Sequence, residues 1–182
     1  MTAKILLTSF DTWLPHQKSN SSDDLLAQIS LDKSLPYSLA FLRKLPVDSE
    51  LAPNWTIAQI NQLQPDIIIC CGMAESREKL TIESCACCDR DLLKTAVNLE
   101  QLVADLPTIE ISHDAGKFVC EALYYGVLKH ICDSEIATQC IFVHVPILNT
   151  ENADEIVACF LLIMHGLAKE TSAGVGLWYR NW

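Results

Sequence analysis

The sequence SHDAGKFVC (residues 112–120), followed further along by IFVHVP (141–146), carries the strongest pattern in the chain. The run at 108–112 is strand-like, and apolar residues spaced three and four apart after the turn predict a helix. Cys120 therefore falls in the first turn of a predicted helix, where unpaired N–H groups and the helix dipole favour a thiolate. His144 lies in a β-branched and aromatic run that stops at a proline, so we expect it near a strand end, where open α/β sheets bind ligands. The pattern predicts a nucleophile and its base.

Strand-like and helix-like segments alternate along the chain. Strands are predicted at 4–9, 37–44, 67–71, 80–87, 108–112 and just before Pro146, and helices at 23–31, 53–63, 91–105, from the Cys120 turn to 131, and at 152–168. This order predicts the α/β class, as a three-layer α/β/α sandwich around a mixed, largely parallel sheet. The length of 182 residues suits a single domain that spans 1–182.

Charge and hydropathy limit the partners. The chain has 13 Lys and Arg against 23 Asp and Glu, a formal charge of -10. It offers no basic cluster for phosphates, so we expect neither nucleic acid nor membrane as a partner. The N-terminal apolar run turns polar at Thr8, too early for a signal-peptide core, and no apolar run approaches the length of a membrane span. We therefore expect a cytoplasmic protein.

The nine cysteines are an odd set, scattered through segments that read as core. This distribution favours free thiols in a reducing compartment over a disulfide framework. The cluster of Cys85, Cys87 and Cys88 suggests zinc, but it lacks a paired CxxC and a matching second half. We therefore predict no metal and no cofactor.

Glu83 is the third catalytic candidate. It lies between apolar neighbours in the strand-like run 80–87, where a carboxylate is costly unless it is paired or faces a cleft. A Cys–His pair commonly needs a third group that orients the imidazole, and a carboxylate does this well. Most strand glutamates face solvent, so a purely structural role stays open.

Several further short motifs follow one another in the order in which one enzyme family carries them. They are LLTSFDTW (6–13), LPV (45–47), PDII (65–68), GMA (72–74) with Arg77, TIE (81–83), AGKFVC (115–120) and FVHVP (142–146). By these motifs the chain resembles the pyroglutamyl peptidase I (pyrrolidone carboxyl peptidase) family of cysteine peptidases, which remove an N-terminal pyroglutamate from peptides.

The resemblance implies a catalytic triad and a mechanism. Cys120 is then the nucleophile, His144 the general base and later acid, and Glu83 the carboxylate that orients the imidazole. Attack on the carbonyl that follows the pyroglutamyl ring gives a thioester, which water hydrolyses. Backbone N–H groups at the helix start are natural donors to the oxyanion.

The resemblance also implies a flat apolar slot for the neutral lactam ring, which aromatic stacking and a few backbone hydrogen bonds would suit. The residues expected to bind substrate there are Phe10, Trp13, Met73, Phe118 and Val119. The expected partner is a peptide with an N-terminal pyroglutamyl group or a related small acyl amide.

The chain departs from the family at several positions. Ser9 stands in place of a glycine, and Trp13 is bulkier than the usual phenylalanine. Glu121 replaces an asparagine beside the nucleophile, and its charge is expected to raise the pKa of the Cys120 thiol. The segment between Glu83 and the nucleophile is much shorter than usual. Two outcomes stay open: an active peptidase with altered specificity, or a catalytically impaired member with a binding or structural role.

Other polar and aromatic residues receive structural interpretations. His113 and Asp114 are expected to cap the helix that carries Cys120. Trp178 and Trp182, near the end of the sequence, suit either a docking patch for a second subunit or packing on the domain. A homo-oligomer is therefore possible.

Overall fold

The computed structural model describes residues 2–106 and 108–172. The C-terminal segment with Trp178 and Trp182 lies outside the described residues. Within them, the strands are β1 (Lys4–Phe10), β2 (Ser38–Leu45), β3 (Ile67–Met73), β4 (Thr81–Glu83), β5 (Cys85–Cys88), β6 (Asp91–Lys94), β7 (Glu110–Ser112) and β8 (Gln139–Val145). The helices are α1 (Ser21–Leu31), α2 (Leu51–Leu63), α3 (Leu99–Leu102), α4 (Val119–Asp133) and α5 (Ala153–Ser172).

Six strands form one sheet in the order β2-β1-β3-β8-β4-β7. All neighbouring pairs in it are parallel except β4 and β8, which are antiparallel. The predicted mixed, largely parallel sheet is therefore confirmed. The antiparallel pairing matters for the site, because it brings Thr81 opposite His144 and Glu83 opposite Phe142.

Helices cover both faces of the sheet, which confirms the three-layer arrangement. Successive residues of a strand point to opposite faces. In β1, Ile5 and Leu7 belong to the core that contains residues of α1 and α5. Leu6 belongs to the core on the other face, with residues of α2 and α4. The central strands are buried on both sides, as the apolar runs of parallel sheets require.

Two predicted elements differ from the structure. The strand predicted at 80–87 is interrupted at Ser84, so that β4 joins the main sheet while β5 pairs with β6 in a separate hairpin. The helix predicted at 91–105 is wrong over its first part, which is strand β6, and only the short α3 is helical. The reason is the turn at Asp89, whose φ of 54° lies in the left-handed region that aspartate tolerates.

Most other predicted boundaries agree to within two residues. The exception is the last helix, which continues beyond 168 to Ser172, whereas β3 ends at Met73, two residues past its predicted end. α1 begins two residues earlier than predicted, because the side chain of Asn20 accepts a hydrogen bond from the N–H of Ser22 and caps it.

All nine cysteines lie within the described residues and are free thiols. Among the described helices, none combines the length and apolar character that crossing a bilayer requires.

Candidate active site

Cys120 occupies the second position of α4, in its first turn. Strand β7 ends at Ser112, and the chain turns at Gly116, whose φ of 93° is readily adopted only by glycine. Asp114 Oδ1 accepts the Gly116 N–H at 3.0 Å and fixes this turn. Phe118, the N-cap residue, makes no side-chain cap bond to the helix. The first N–H groups of α4 therefore lack a capping side chain, at the point where Cys120 is presented.

The capping roles expected for two residues are wrong. The imidazole of His113 pairs with the hydroxyl of Ser84 at 2.6 Å, away from the helix start. The carboxylate of Asp114 is used by the turn itself. Both side chains stabilise the loop that precedes α4 without contacting its first turn.

His144 lies at the next-to-last position of β8, beside both neighbouring strands. Its register partners are Gly72 on the parallel strand β3 and Thr81 on the antiparallel strand β4. Its ring centroid lies 4.9 Å from that of Phe142, in a tilted arrangement. The side chain is only 7% exposed, so its orientation is set by packing and by its hydrogen bond.

That hydrogen bond joins His144 to Glu83. The Nδ1 atom lies 2.7 Å from Glu83 Oε1, and Glu83 is completely buried. A carboxylate can only accept, so Nδ1 carries the proton and Nε2 of the neutral ring is left as an acceptor. This is the tautomer that a general base needs.

Two further groups hold Glu83 in place. The NH2 group of Arg77 lies 3.0 Å from the same Oε1 atom. The hydroxyl of Tyr124, one turn after Cys120 on α4, donates to the backbone carbonyl of Glu83 at 3.0 Å. Among the described residues, Glu83 Oε2 has no hydrogen-bond partner. The nucleophile helix and the carboxylate are thus tied together directly.

The sulfur of Cys120 lies against the backbone of Gly72. A Cβ built on Gly72 would stand 2.7 Å from Sγ and 2.9 Å from the ring of Phe142. Because Gly72 is also the register partner of His144, the sulfur lies over the strand pair that carries the imidazole.

Burial raises the pKa of the Cys120 thiol to about 12, with smaller contributions from the charge of Glu83 and from Cys70. Desolvation thus outweighs the helix start, and the expected resting thiolate is not supported. Glu121, expected to raise this pKa, accepts a hydrogen bond from the Cys87 N–H at 3.1 Å instead. The pKa of Cys120 is raised, as predicted, but Glu121 is the wrong cause. The causes are burial and the charge of Glu83.

Cys120 and His144 line a cavity of about 330 Å³. The other lining residues that the sequence predicted to bind substrate are Phe10, Trp13, Met73, Phe118 and Val119. The Trp13 and Phe118 rings lie 4.9 Å apart and are about half exposed, so they form the outer wall. The structure therefore brings every predicted site residue except the buried Glu83 to the cavity wall, and Glu83 lies directly behind His144.

The cavity rim includes two residues that the sequence did not single out. Gln17 accepts the N–H groups of Trp13 and Leu14 and donates to Glu75 Oε1 at 2.8 Å. It therefore joins the first loop to the loop after β3. A glutamine in a polar loop carries no local signal of such a role.

A larger cavity of about 710 Å³ lies beside the first, between α2, α4 and the β5–β6 hairpin. The two cavities share Lys117 and Phe118, but neither Cys120 nor His144 lines the larger one. We place the chemistry in the smaller cavity for that reason. Within residues 2–106 and 108–172, no three His, Cys, Asp or Glu side chains are grouped so as to hold a metal ion.

The fold and the cavity define the class of the protein. A cysteine at a helix start, a histidine and a buried carboxylate beside one cavity of an α/β sheet form the side-chain set of a cysteine hydrolase. Residues 99–170, which include Cys120 and His144, match the family model for pyroglutamyl peptidase.

Curated relatives and solved structures agree with that match. A pyrrolidone-carboxylate peptidase of Vibrio vulnificus is 27% identical over 172 residues, covering 80% of this chain and 79% of the relative. One of Vibrio campbellii is 27% identical over 195 residues, covering 91% and 89%. The pyroglutamyl peptidase I of Bacillus amyloliquefaciens superposes with a TM-score of 0.81 at 22% identity, over 94% of this chain and 97% of that one. The pyrrolidone carboxyl peptidase of Thermococcus litoralis gives 0.82 at 14% identity, over 100% of both chains.

The resemblance predicted from the motifs is therefore confirmed: the chain is similar to pyroglutamyl peptidases in sequence and in fold.

Proposed function

We propose that this protein is a cysteine peptidase that hydrolyses the amide bond after an N-terminal pyroglutamyl residue or a related small acyl group. Cys120 is the nucleophile, His144 the base and acid, and Glu83 the orienting carboxylate. The observation that carries the proposal is the 2.7 Å hydrogen bond between buried Glu83 and His144, in the wall of the cavity that Cys120 also lines.

The first half-reaction forms a thioester. His144 Nε2 takes the proton of the Cys120 thiol as sulfur attacks the acyl carbonyl, whose π electrons move to oxygen. Because burial raises the pKa of the thiol to about 12, this proton transfer accompanies attack and is not completed beforehand. The oxyanion then collapses, the C–N bond breaks, and the imidazolium protonates the departing amine.

The second half-reaction releases the acid. Water enters beside His144, gives its proton to Nε2 and attacks the thioester carbonyl. Collapse of this tetrahedral intermediate breaks the C–S bond, and the imidazolium returns its proton to sulfur. The products are the free acyl acid and the regenerated thiol.

The start of α4 supplies the oxyanion donors. The N–H groups of Val119 and Cys120 occupy the first helical positions, and the N-cap side chain makes no hydrogen bond to the helix. Their partial positive charge is fixed in place before the reaction, so it stabilises the oxyanion without reorganisation.

The cavity suits a small neutral ring. Its aromatic and aliphatic wall, formed by Phe10, Trp13, Met73 and Phe118, offers flat apolar contact. Polar groups are restricted to a few positions at the rim, among them Gln17 and Glu75. A volume of about 330 Å³ is at the small end for ligand cavities, which favours a small acyl group over a long side chain.

Two further proposals accompany this function. We propose that residues 1–182 form one pyroglutamyl-peptidase-like domain. We also place the protein in the cytoplasm, a reducing compartment that suits nine free thiols, one of them the nucleophile. Self-association stays a prediction.

The test is hydrolysis of a fluorogenic pyroglutamyl amide, such as the 7-amino-4-methylcoumarin amide. Wild-type protein should release the fluorophore, and Cys120→Ala should abolish release while the fold, measured by circular dichroism, is kept. Cys88→Ala, which removes an exposed thiol outside the smaller cavity, is the matched control and should retain activity. Fluorophore release that survives Cys120→Ala would sink the assignment, and absence of release by the wild type would favour the impaired alternative.

A further inference from the structure

Arg77 connects the two halves of the candidate site. Its NH2 group lies 3.0 Å from Glu83 Oε1, on the side of the base. The same group lies 3.4 Å from Ser112 Oγ and 3.3 Å from the carbonyl oxygen of Asp114, at the turn that leads to the nucleophile. A single guanidinium group therefore contacts both the carboxylate behind His144 and the loop that presents Cys120.

Arg77 also balances the charge of Glu83. The carboxylate is completely buried, and a buried charge is costly unless a partner of opposite charge compensates for it. The described ion pairs of Glu83 involve Arg77 and His144, and the imidazole is charged only when it is protonated. The guanidinium, which keeps its charge at any working pH, is thus the permanent counter-ion of this carboxylate.

The charge balance between Glu83 and Arg77 affects how readily the Cys120 thiol loses its proton. The negative charge of Glu83 is one of the causes that raise the pKa of the Cys120 thiol. With Arg77 in place, Glu83 and Arg77 together have no net charge, so the transient thiolate and imidazolium form in nearly neutral surroundings. Without Arg77, the unbalanced negative charge of Glu83 would oppose formation of the thiolate.

We propose that Arg77 is a positioning residue of the reaction, which compensates the buried charge of Glu83 and holds the nucleophile loop against it. The proposal rests on the proposed function in one respect only: turnover of a pyroglutamyl amide is one of its two readouts. The other is the reactivity of Cys120 itself, which needs no substrate.

The experiment compares Arg77→Met and Arg77→Lys with the wild type. The matched control is Lys79→Met, which removes one positive charge two residues away, where the ammonium group pairs with exposed Glu110 at 3.3 Å. The first readout is kcat and KM for the fluorogenic amide across pH. The second is the rate of Cys120 alkylation by iodoacetamide, followed by peptide mapping so that the other eight cysteines do not interfere.

Arg77→Met removes the charge partner of buried Glu83, so kcat should fall by about 100-fold. KM should stay within about threefold, because the missing charge matters mainly when the thiolate and imidazolium form in the transition state. The titratable and charged groups around His144 and Cys120 are Glu83 with Arg77 behind it, Cys70 and, at the cavity wall, Glu75 and Lys117. Of these, only Glu83 loses its counter-ion in the variant, so the acidic limb of the pH–rate profile should move to higher pH. Alkylation of Cys120 near neutral pH should slow by about tenfold.

Arg77→Lys restores the positive charge but not the planar guanidinium group, so it should recover only part of kcat. The restored charge should return the acidic limb of the pH–rate profile to its wild-type position. Lys79→Met should leave both readouts unchanged. If the wild type does not turn over the amide, the proposed function fails while the alkylation rates still test Arg77. Wild-type alkylation rates and pH profile in folded Arg77→Met would overturn the proposal. If that variant does not fold, a wild-type kcat in Arg77→Lys would overturn the proposal, because an ammonium group does not reproduce the contacts of the planar guanidinium.

Discussion

Cys120 Sγ packs directly on the backbone of Gly72, leaving no room for a Cβ at that position. The contact places the sulfur over the strand pair β3 and β8, next to the register position of His144. The geometry of the nucleophile is therefore set by a residue that has no side chain.

Gly72→Ala should disable the site. The added methyl group would stand 2.7 Å from Sγ and 2.9 Å from the ring of Phe142, so one of them must move. We expect kcat/KM to fall by about 100-fold or more, since small misplacements of reacting atoms have effects of this size, and stability to fall by about 1–3 kcal/mol. Fluorogenic turnover and urea unfolding measure the two effects.

Gly166→Ala is the matched control for this prediction. A Cβ there would approach Leu102 Cδ1 to 2.6 Å, so the variant is also crowded, but Gly166 lies on α5 and does not line the smaller cavity. It should lose stability while keeping kcat/KM. Equal losses of activity in the two variants would show that crowding in general, and not the sulfur contact, is responsible.

Glu83→Gln tests whether the negative charge of Glu83, and not only the shape of its side chain, supports His144. Glutamine keeps the shape of the side chain but removes the charge that supports the imidazolium, and its amide end allows the wrong histidine tautomer. We expect kcat to fall by about 100- to 1,000-fold with KM changed by less than about threefold. Glu110→Gln, which neutralises an exposed carboxylate two strands from β8, should behave as the wild type. A Glu83→Gln variant with wild-type kcat would remove Glu83 from the mechanism.

The proposed nucleophile and base could be singled out from local sequence, and the connections between them could not. Cys120 follows a turn that leads into a helix, and His144 lies in a strand that stops at a proline. Each of these patterns can be recognised from a few neighbouring residues. The 2.7 Å bond from Glu83 depends instead on β4 running antiparallel to β8, a pairing of segments about sixty residues apart that no local pattern specifies.

The errors have physical causes of the same kind. Burial around Cys120 comes from residues on several elements, so its effect on the pKa was not visible from a helix start alone. The first part of the helix expected at 91–105 is the hairpin strand β6, in which Leu92 and Leu93 pair across to β5. Arg77 belonged to a recognised motif, but its partners Ser112 and Asp114 lie 35 and 37 residues further along the chain.

The reactivity of Cys120 should rise with pH well beyond the range of an ordinary thiol. Burial raises its pKa to about 12, so the thiolate fraction continues to increase above the value of about 8.5 at which a free thiol is half ionised. Alkylation of Cys120 by iodoacetamide should therefore climb steadily from about pH 6 to about pH 11. Peptide mapping gives this rate, with the exposed Cys88 followed in the same digests. A flat, fast rate across the acidic range would instead indicate a preformed thiolate–imidazolium pair.

The stability of the fold should depend on one partly buried ion pair between α1 and β2. Arg43 Nε and NH2 contact the two carboxylate oxygens of Asp23 at 2.7 and 2.8 Å, and Ser9 donates to the same carboxylate at 2.8 Å. Burial tends to raise the pKa of Asp23, but these bonds outweigh it and the pKa is lowered from 3.8. A lowered carboxyl pKa stabilises the fold above the unfolded value, and that stability is lost as pH falls through the folded value.

Arg43→Met should consequently destabilise the protein by about 2–3 kcal/mol, less than the ~3–5 kcal/mol for a fully buried pair, because Arg43 is partly exposed. The wild type should lose this contribution in acid, below about pH 4, so the difference between the two proteins should shrink there. Urea unfolding at neutral and acidic pH measures both. The double variant Asp23→Asn with Arg43→Met leaves no unpaired charge and should be more stable than Arg43→Met alone, because the cost in the single variant is that of a buried carboxylate without its partner. A double variant less stable than either single one would show that Asp23 acts through Ser9 and not through Arg43.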